Sequence, residues 1–422
     1  MFLNQNGNIY KKCSDGIKII TIFAQVKTIH RTYRYALMPN KEQEVLLSKH
    51  FGCVRYIYNH FLNERKEKYQ EHKKSPNYYS QAKTLTALKK KKETDWLKEV
   101  NSQTLQHALR HLDTAYLNFF RGKAKFPRFK SKKNKNSFTI PQFVTIENDQ
   151  LNIPKFKEGI KIKLHRKLEG EIKHCTISKT ATGKYFVSIL CEVKYQPKEK
   201  TGKSVGIDLG LKDFVITSDG IKYENHKHIK QYEKQLAKAQ KHLSRKVKGS
   251  NRRNKQRIKV AILHEKTANA RLDLLHKIST QITNEYDMIC VEDLNVKGMM
   301  VNHKLAKHIA DASWGTFVRL LEYKADWNNK QVVKINRWYP SSKTCSECGW
   351  IHQDLNLSER EWTCANGHKL DRDINASKNI HLEGLKIISV GTTEYTRRAK
   401  IRPQLVGAKA LKREAHLSLA NG

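Results

Sequence analysis

Three acidic residues far apart along the chain, Asp208, Glu292 and Asp373, each sit where a rigid element would aim a carboxylate at a common point. Asp208 closes the apolar run Val205-Gly206-Ile207, Glu292 follows Met288-Ile289-Cys290-Val291, and Asp373 heads the helix-like stretch DINASKNIHL. Burying an ionised carboxylate in an apolar strand is costly unless a cation or hydrogen bonds offset it. A helix N-terminus tolerates the charge. Hard divalent cations such as magnesium take carboxylate oxygens and waters, and three carboxylates can hold two such ions roughly 3.5–4 Å apart, the arrangement used in phosphodiester hydrolysis. The expected products carry 5′-phosphate and 3′-hydroxyl ends. Spacing alone leaves the neighbours Asp213, Asp293 and Asp371 as rival positions, with Asp371 also able to support the site from behind.

A second constellation is Cys345-x2-Cys348 followed by Cys364-x3-His368. Three thiolates and an imidazole suit tetrahedral zinc, and a closed four-ligand site leaves no position for a reacting water, so its expected role is structural. His352 competes for the fourth position. The other cysteines are scattered in apolar or strand-like surroundings, a pattern that speaks for metal and against disulfides.

The elements that must position these groups can be read from periodicity. VGIDLGLKDFVITSDG predicts an antiparallel hairpin, MICVEDLN a buried strand ending at Asn295, residues 314–328 a helix, and QVVKINRWYP another strand. Residues 229–284 read as a charged helical hairpin turning at Gly249-Ser250-Asn251. Its stretch 245–259 is basic enough to contact nucleic acid, with Arg245, Lys246, Arg252, Arg253 and Lys255 as candidates. Upstream, residues 30–39 resemble a strand, and Asn40 with Gln43 forms a capping box before a long helix. On that helix Leu47, Phe51, Val54, Tyr58 and Phe61 share a face, while Lys49, Arg55, Arg65 and Lys66 fall elsewhere. Leu105, Leu109, Leu112, Tyr116 and Phe120 mark a second helix. The run 122–138 interleaves phenylalanines with cations, among them Lys125, Arg128 and Lys130, a composition that can stack bases and meet phosphates. Each phenylalanine taken singly is better read as packing against a neighbouring core. In KYFVSILCEVK, Tyr185, Val187, Ile189, Cys191 and Val193 occupy one face of a strand.

The 422 residues carry 81 Lys and Arg against 40 Asp and Glu, a formal charge of +41, so a large surface must present uncompensated positive charge and calls for a polyanion. Hydrophobic residues make up 38%, enough for real cores in two to four folded units. No apolar run approaches roughly 18 residues, which argues against a membrane partner and for nucleic acid. Residues 17–24 are apolar but short and lack a cleavage site, and read as an extension or strand in a cytoplasmic protein.

The motifs VGIDLG, VEDLNVKGM, RWYPSSKTCSECG and DRDINASKNI, in this order, closely resemble the TnpB family of insertion-sequence proteins, relatives of the type V CRISPR effector nucleases. The resemblance runs from about His30 to about Glu383. It implies an α/β multidomain chain: a ribonuclease-H-like, RuvC-type mixed sheet with an inserted zinc knuckle, an N-terminal helical recognition region and a small β-rich wedge module. It also implies that Asp208, Glu292 and Asp373 are the catalytic magnesium-holding acids. The corresponding boundaries are an extension over 1–29, a wedge over 30–40 and 122–200, and a recognition region over 41–121. The nuclease domain takes 201–338 and 369–388, including the hairpin 229–284; the zinc knuckle takes 339–368, and a disordered tail 389–422. The implied activity is RNA-guided cleavage of double-stranded DNA beside a short target-adjacent motif, by a monomer bound to a guide RNA from the transposon end, in a nucleoid-associated prokaryotic setting. The family often has two Cys-x2-Cys pairs, whereas here the second pair is Cys364 and His368. Two alternatives share these features: a guided DNA-binding regulator without cleavage, and a transposase acting directly on DNA ends.

Overall fold

In the computed structural model, Asn40 caps the first long helix as the capping box requires: its Oδ1 accepts the Gln43 N–H at 2.8 Å, and Gln43 Oε1 accepts the Asn40 N–H at 3.1 Å. The structure describes residues 2–3, 9–10, 26–133, 136–226, 228–356 and 359–401; the strand or extension expected over 17–24 lies outside them, as does 402–422. The chain divides into two units, Met1–Gln196 with His242–Ile262, and Pro197–Lys241 with Leu263–Gly422.

In the first unit, the short β1 (Phe2–Leu3) and β2 (Ile9–Tyr10) pair antiparallel, and β3 (Lys27–Met38) leads into α1 (Lys41–His72). Next come α2 (Tyr78–Leu88), a 3₁₀ helix (Lys92–Glu99) and α3 (Ser102–Phe120). The predicted apolar faces of α1 and α3 are buried, except that Phe120 at the helix end is exposed. Arg65 departs from expectation. Lying four residues after Phe61, it falls on the buried face, where its guanidinium donates to Gln81 Oε1 and Asp113 Oδ1, both at 2.8 Å, and ties the three helices together. Six further strands follow: β4 (Asn136–Ile140), β5 (Thr145–Glu147), β6 (Gln150–Asn152), β7 (Ile160–Lys163), β8 (Glu171–Lys179) and β9 (Tyr185–Tyr195). With β3 they form an antiparallel sheet in the order β4-β8-β9-β3-β7-β6-β5. The alternation read in β9 holds, with Tyr185, Val187, Ile189, Cys191 and Val193 all buried.

The second unit is built on β10 (Ser204–Asp208), β11 (Asp213–Thr217) and β12 (Lys222–Glu224), then most of the helices α4 (His228–Ser244) and α5 (Asn251–Glu285), whose stretch His242–Ile262 belongs to the first unit. There follow β13 (Met288–Glu292), α6 (Val296–Met299), α7 (His303–Ala312), α8 (Trp314–Trp327) and β14 (Gln331–Ile335). Last come β15 (Glu361–Thr363), β16 (Lys369–Asp371) and α9 (Arg372–Ile401). The main sheet has the order β12-β11-β10-β13-β14; β10 pairs antiparallel with β11 and parallel with β13, and β13 pairs parallel with β14. One face of this mixed sheet sends Val205, Ile207, Ile289 and Val291 into a core with Leu275, Ile282, Phe317 and Leu321 of α5 and α8. On the other face, Cys290 packs with Ile380 of α9.

α9 runs through the segment from 389, where the sequence predicts a disordered tail. The helix is continuous to Ile401, and 402–422 lie outside the described residues.

Candidate functional site

Side chains alternate across a strand, so if Val205 and Ile207 enter the α5–α8 core, Asp208 must point to the opposite face, and the same logic sends Glu292 there from β13. β10 and β13 run parallel with Ile207 opposite Val291, which sets Asp208 and Glu292 side by side at the carboxyl ends of neighbouring strands. α9 covers that face. It approaches closely because Gly206 has no side chain: a Cβ there would overlap the Ser377 carbonyl and the His381 backbone. Asp373, in the first turn of α9, thereby joins the other two acids, and all three line one cleft of about 420 Å³ together with Arg337, Ser341, Lys343 and Arg372.

The electrostatics agree with this convergence. Burial first, and then the nearby charges of Glu292 and Asp373, push the Asp208 carboxyl up to about 7. Burial also raises Glu292, partly opposed by the Ser341 hydroxyl that donates to its Oε1. Asp373 is paired with Arg360, whose Nη1 lies 3.3 and 3.4 Å from the two carboxylate oxygens. Two of the rival acids, Asp293 and Asp371, are engaged elsewhere. Asp293 pairs with Arg337, while Asp371 caps α9 by accepting the N–H groups of Asp373 and Ile374, each at 3.0 Å, and takes the Lys222 ammonium at 2.7 Å.

A raised acid has a definite sign for stability. Unfolded Asp208 loses its proton near pH 4 and the folded residue near 7, so the cost of ionising it is absent below about pH 4, grows across the interval and is complete above pH 7. Asp208→Asn is therefore expected to stabilise the chain in magnesium-free buffer at pH 8, by on the order of 4 kcal/mol at most, and by much less at pH 5. Thermal melts at the two pH values check this; an equal gain at both would contradict it.

The second constellation closes more tightly. Cys345, Cys348, Cys364 and His368 offer ligand atoms that all lie within 4.8 Å of one another, whereas the three carboxylates occupy the wider cleft. Thiolates bound tetrahedrally at about 2.3 Å from a common ion stand ~3.8 Å apart. Cys348 Sγ and Cys364 Sγ are 3.8 Å apart, Cys345 Sγ is 3.8 Å from His368 Nδ1, and Cys364 Sγ is 3.1 Å from the same nitrogen, so the set fits a zinc ion. His352 stands outside the four, its ring against Trp350 and Trp362, which leaves His368 as the fourth donor. The β15–β16 hairpin presents Cys364 and His368 across a tight turn in which Gly367 adopts φ 82°. The backbone N–H of Trp350 is the main cause holding the Cys348 thiol down to about 6, so it supplies a thiolate readily.

Sequence reasoning missed the polar links between the two constellations. Asn379 donates to the carbonyls of Ser341 at 2.8 Å and Thr344 at 2.6 Å; Asn375 donates to Thr344 O at 2.7 Å and accepts the Ser346 N–H at 2.8 Å. Both asparagines are buried, and their four-residue spacing on an otherwise packed helix face was the available signal.

Of the basic candidates, Lys125, Arg128, Arg245, Arg252 and Lys255 are exposed. Lys130 and Arg253 have other work. The Lys130 ammonium lies 3.9 Å from the centre of the Tyr58 ring, and Arg253 donates to the carbonyls of Leu243 at 2.8 Å and Lys246 at 2.9 Å, closing the α4–α5 turn. Phe126 packs edge-on against Tyr116 and Phe119 yet stays 42% exposed, and Phe138 is buried, so the phenylalanines divide between packing and surface. Within the first unit, a groove of about 900 Å³ is lined by Arg34, Arg55, Lys132, Lys133, Lys179 and Arg257 with no acidic side chain among its walls.

Comparison with known proteins agrees with the motifs. Residues 188–309 match the OrfB family of IS605, described as "Probable transposase", residues 314–380 a "Cas12f1-like, TNB domain", and residues 29–74 a "Helix-turn-helix domain". In this last stretch the chain forms a strand and one uninterrupted helix. A Streptomyces pristinaespiralis protein named "Putative RNA-guided DNA endonuclease" is 40% identical over 400 residues, covering 94% of this chain and 98% of that one. The Escherichia coli K12 protein "Putative RNA-guided DNA endonuclease InsQ" is 32% identical over 380 residues, covering 86% and 94%. Among solved structures, the chain of a Cas12f1–sgRNA–target DNA complex matches with a TM-score of 0.52 at 13% identity, covering 84% of this chain and 99% of that one, which shows a Cas12f-like fold. No described helix is long and apolar enough to cross a membrane. Four ordered motifs and relatives matched over nearly their whole length establish that the chain belongs to the TnpB family, the OrfB proteins of IS605-type insertion sequences.

Proposed function

We propose that this protein is an RNA-guided DNA endonuclease whose second unit carries a ribonuclease-H-like, RuvC-type nuclease site. The observation that carries the reading is the meeting of Asp208, Glu292 and Asp373, from two parallel strand ends and a helix N-terminus, in one cleft. Asp208, Glu292 and Asp373 would hold magnesium, as the pair of ions that three carboxylates can take, and the metal would supply Lewis-acid activation of water and stabilisation of the leaving oxygen. The chain's own part is to hold the acids. Ser341 orients Glu292, the Asp371 cap fixes the start of α9, and Arg337, Lys343 and Arg372 place positive charge along the cleft where a phosphodiester strand would lie. The Cys3His cluster holds a structural zinc beside it.

The first unit takes the wedge and recognition roles, and its basic groove suits a polyphosphate backbone. Arg245, Arg252 and Lys255 at the helical turn, with Lys125 and Arg128, add further exposed positive charge to that unit. The names of the family relatives and the fold shared with Cas12f1 support a guide RNA and a DNA target; in this reading the RNA comes from the transposon end and the double-stranded target is cut beside a short adjacent motif. Purification from cells carrying the native flanking DNA, followed by sequencing of the retained RNA, tests the reading. A defined transposon-end transcript that directs cuts in a matching plasmid is the expected result. Random cellular RNA with no directed cutting would sink it, and joining of DNA ends without RNA would favour a transposase.

A further inference from the structure

The loop between β14 and the cysteine cluster carries an indole with no structural task. Trp338 is 84% exposed, against 39% for Trp96 and 37% for Trp350, while Trp314 and Trp362 are buried. A single exposed apolar side chain is ordinary on a folded surface; what distinguishes this one is the turn that carries it and its place beside the carboxylate cleft. Here the backbone beneath it is fixed. The Trp338 N–H donates to Asn336 Oδ1 at 3.0 Å, the Tyr339 N–H donates to Asn336 O at 3.1 Å, and Arg337 is paired with Asp293. The loop thus presents the ring from a braced turn and does not leave it to a free tail.

Position gives the occupant. The two neighbours of Trp338, Arg337 and Tyr339, both line the cleft that holds Asp208, Glu292 and Asp373, with Lys343 and Arg372 among the other walls. A nucleic-acid strand laid along these cations with one phosphate over the acids would bring an adjacent base to the indole. We propose that Trp338 is a stacking platform for an unpaired base of the strand to be cut, and so a determinant of single-strand preference at this site. A base inside a duplex has both faces covered by its neighbours and cannot offer one to the ring. Only a strand already separated from its complement can use the contact.

The inference rests on the nuclease reading, and the test separates the two. With single-stranded DNA oligonucleotides, the full chain loaded with its co-purified guide RNA and bearing Trp338→Ala should show a 5- to 100-fold rise in KM, the range expected on the order of one lost base–aromatic stack. Trp338→Phe should recover most of it. Zinc content and melting temperature should not move, since the side chain is exposed. One abasic site scanned along the oligonucleotide should weaken wild type at a single position and add nothing there in Trp338→Ala. Equal KM values for wild type and Trp338→Ala, or an abasic effect of the same size in both, would overturn the proposal. Should the wild-type chain cut nothing, the nuclease reading fails by itself. Oligonucleotide binding by Asp208→Asn with and without Trp338→Ala then still decides the stacking inference, a difference supporting it and equality overturning it.

Discussion

Asp208→Asn, and separately Glu292→Gln, should reduce guided cleavage by on the order of 10³-fold or more while leaving the retained RNA unchanged. Each substitution removes one anionic ligand from a cleft whose proposed chemistry depends on concentrated negative charge, and a loss of several kcal/mol of transition-state stabilisation corresponds to that factor. RNA retention should be untouched because the basic groove belongs to the first unit, whereas both acids belong to the second. Turnover of a matched plasmid, measured beside RNA co-purification, reads both quantities. Wild-type cleavage in either mutant would remove these residues from the chemistry, and parallel loss of RNA would mean that the substitutions act on folding.

Removal of zinc should be nearly as damaging by a different route. Cys345→Ala, or chelation of the native chain, takes away the centre about which Cys348, Cys364 and His368 gather. Few apolar side chains accompany them, chiefly Leu355, Trp362 and Leu370, so little else holds the loop. Structural zinc contributes folding free energy directly. A fall in melting temperature on the order of 10 °C is expected, corresponding to a loss of several kcal/mol in a domain of this size. Metal analysis of the native chain should return one zinc. Cleavage should fall as well, because Asn375 and Asn379 fasten residues 341–346 to α9, and Ser341 in that segment steadies Glu292. Unchanged melting after complete chelation would exclude a structural centre.

What could be read from the sequence was whatever repeats locally. The capping box at Asn40, the alternation in β9, and the hairpin of β10 and β11 each rest on side chains only a few residues apart, and each is found as expected. Asp208 and Glu292 were visible as acids at the ends of apolar runs, and the cysteine and histidine spacing was visible as a ligand set. The choice between Asp373 and Asp371 was not. It depends on Asp371 being consumed as a cap and as the partner of Lys222, a residue distant in sequence. Ser341, Asn375 and Asn379 escaped notice because a polar side chain that bonds a distant carbonyl leaves no periodic trace. The basic groove was likewise hidden: Arg34, Arg55, Lys179 and Arg257 come from separate elements, and each alone resembles an ordinary surface cation. Arg65 was misplaced for a related reason, since its charge suggests solvent while its position, four residues after Phe61, lies on the packed face.

The dependence of the cleft on α9 also bears on when the three acids can first meet. Ribosomes deliver the first unit and both strand-borne acids well before the closing helix, and contacts between segments so distant in sequence form late. A nascent chain can therefore fold most of the elements that line its basic groove while the third acid is still unsynthesised. Closure of the carboxylate cleft is thereby deferred until α9 has been made and can dock on the sheet.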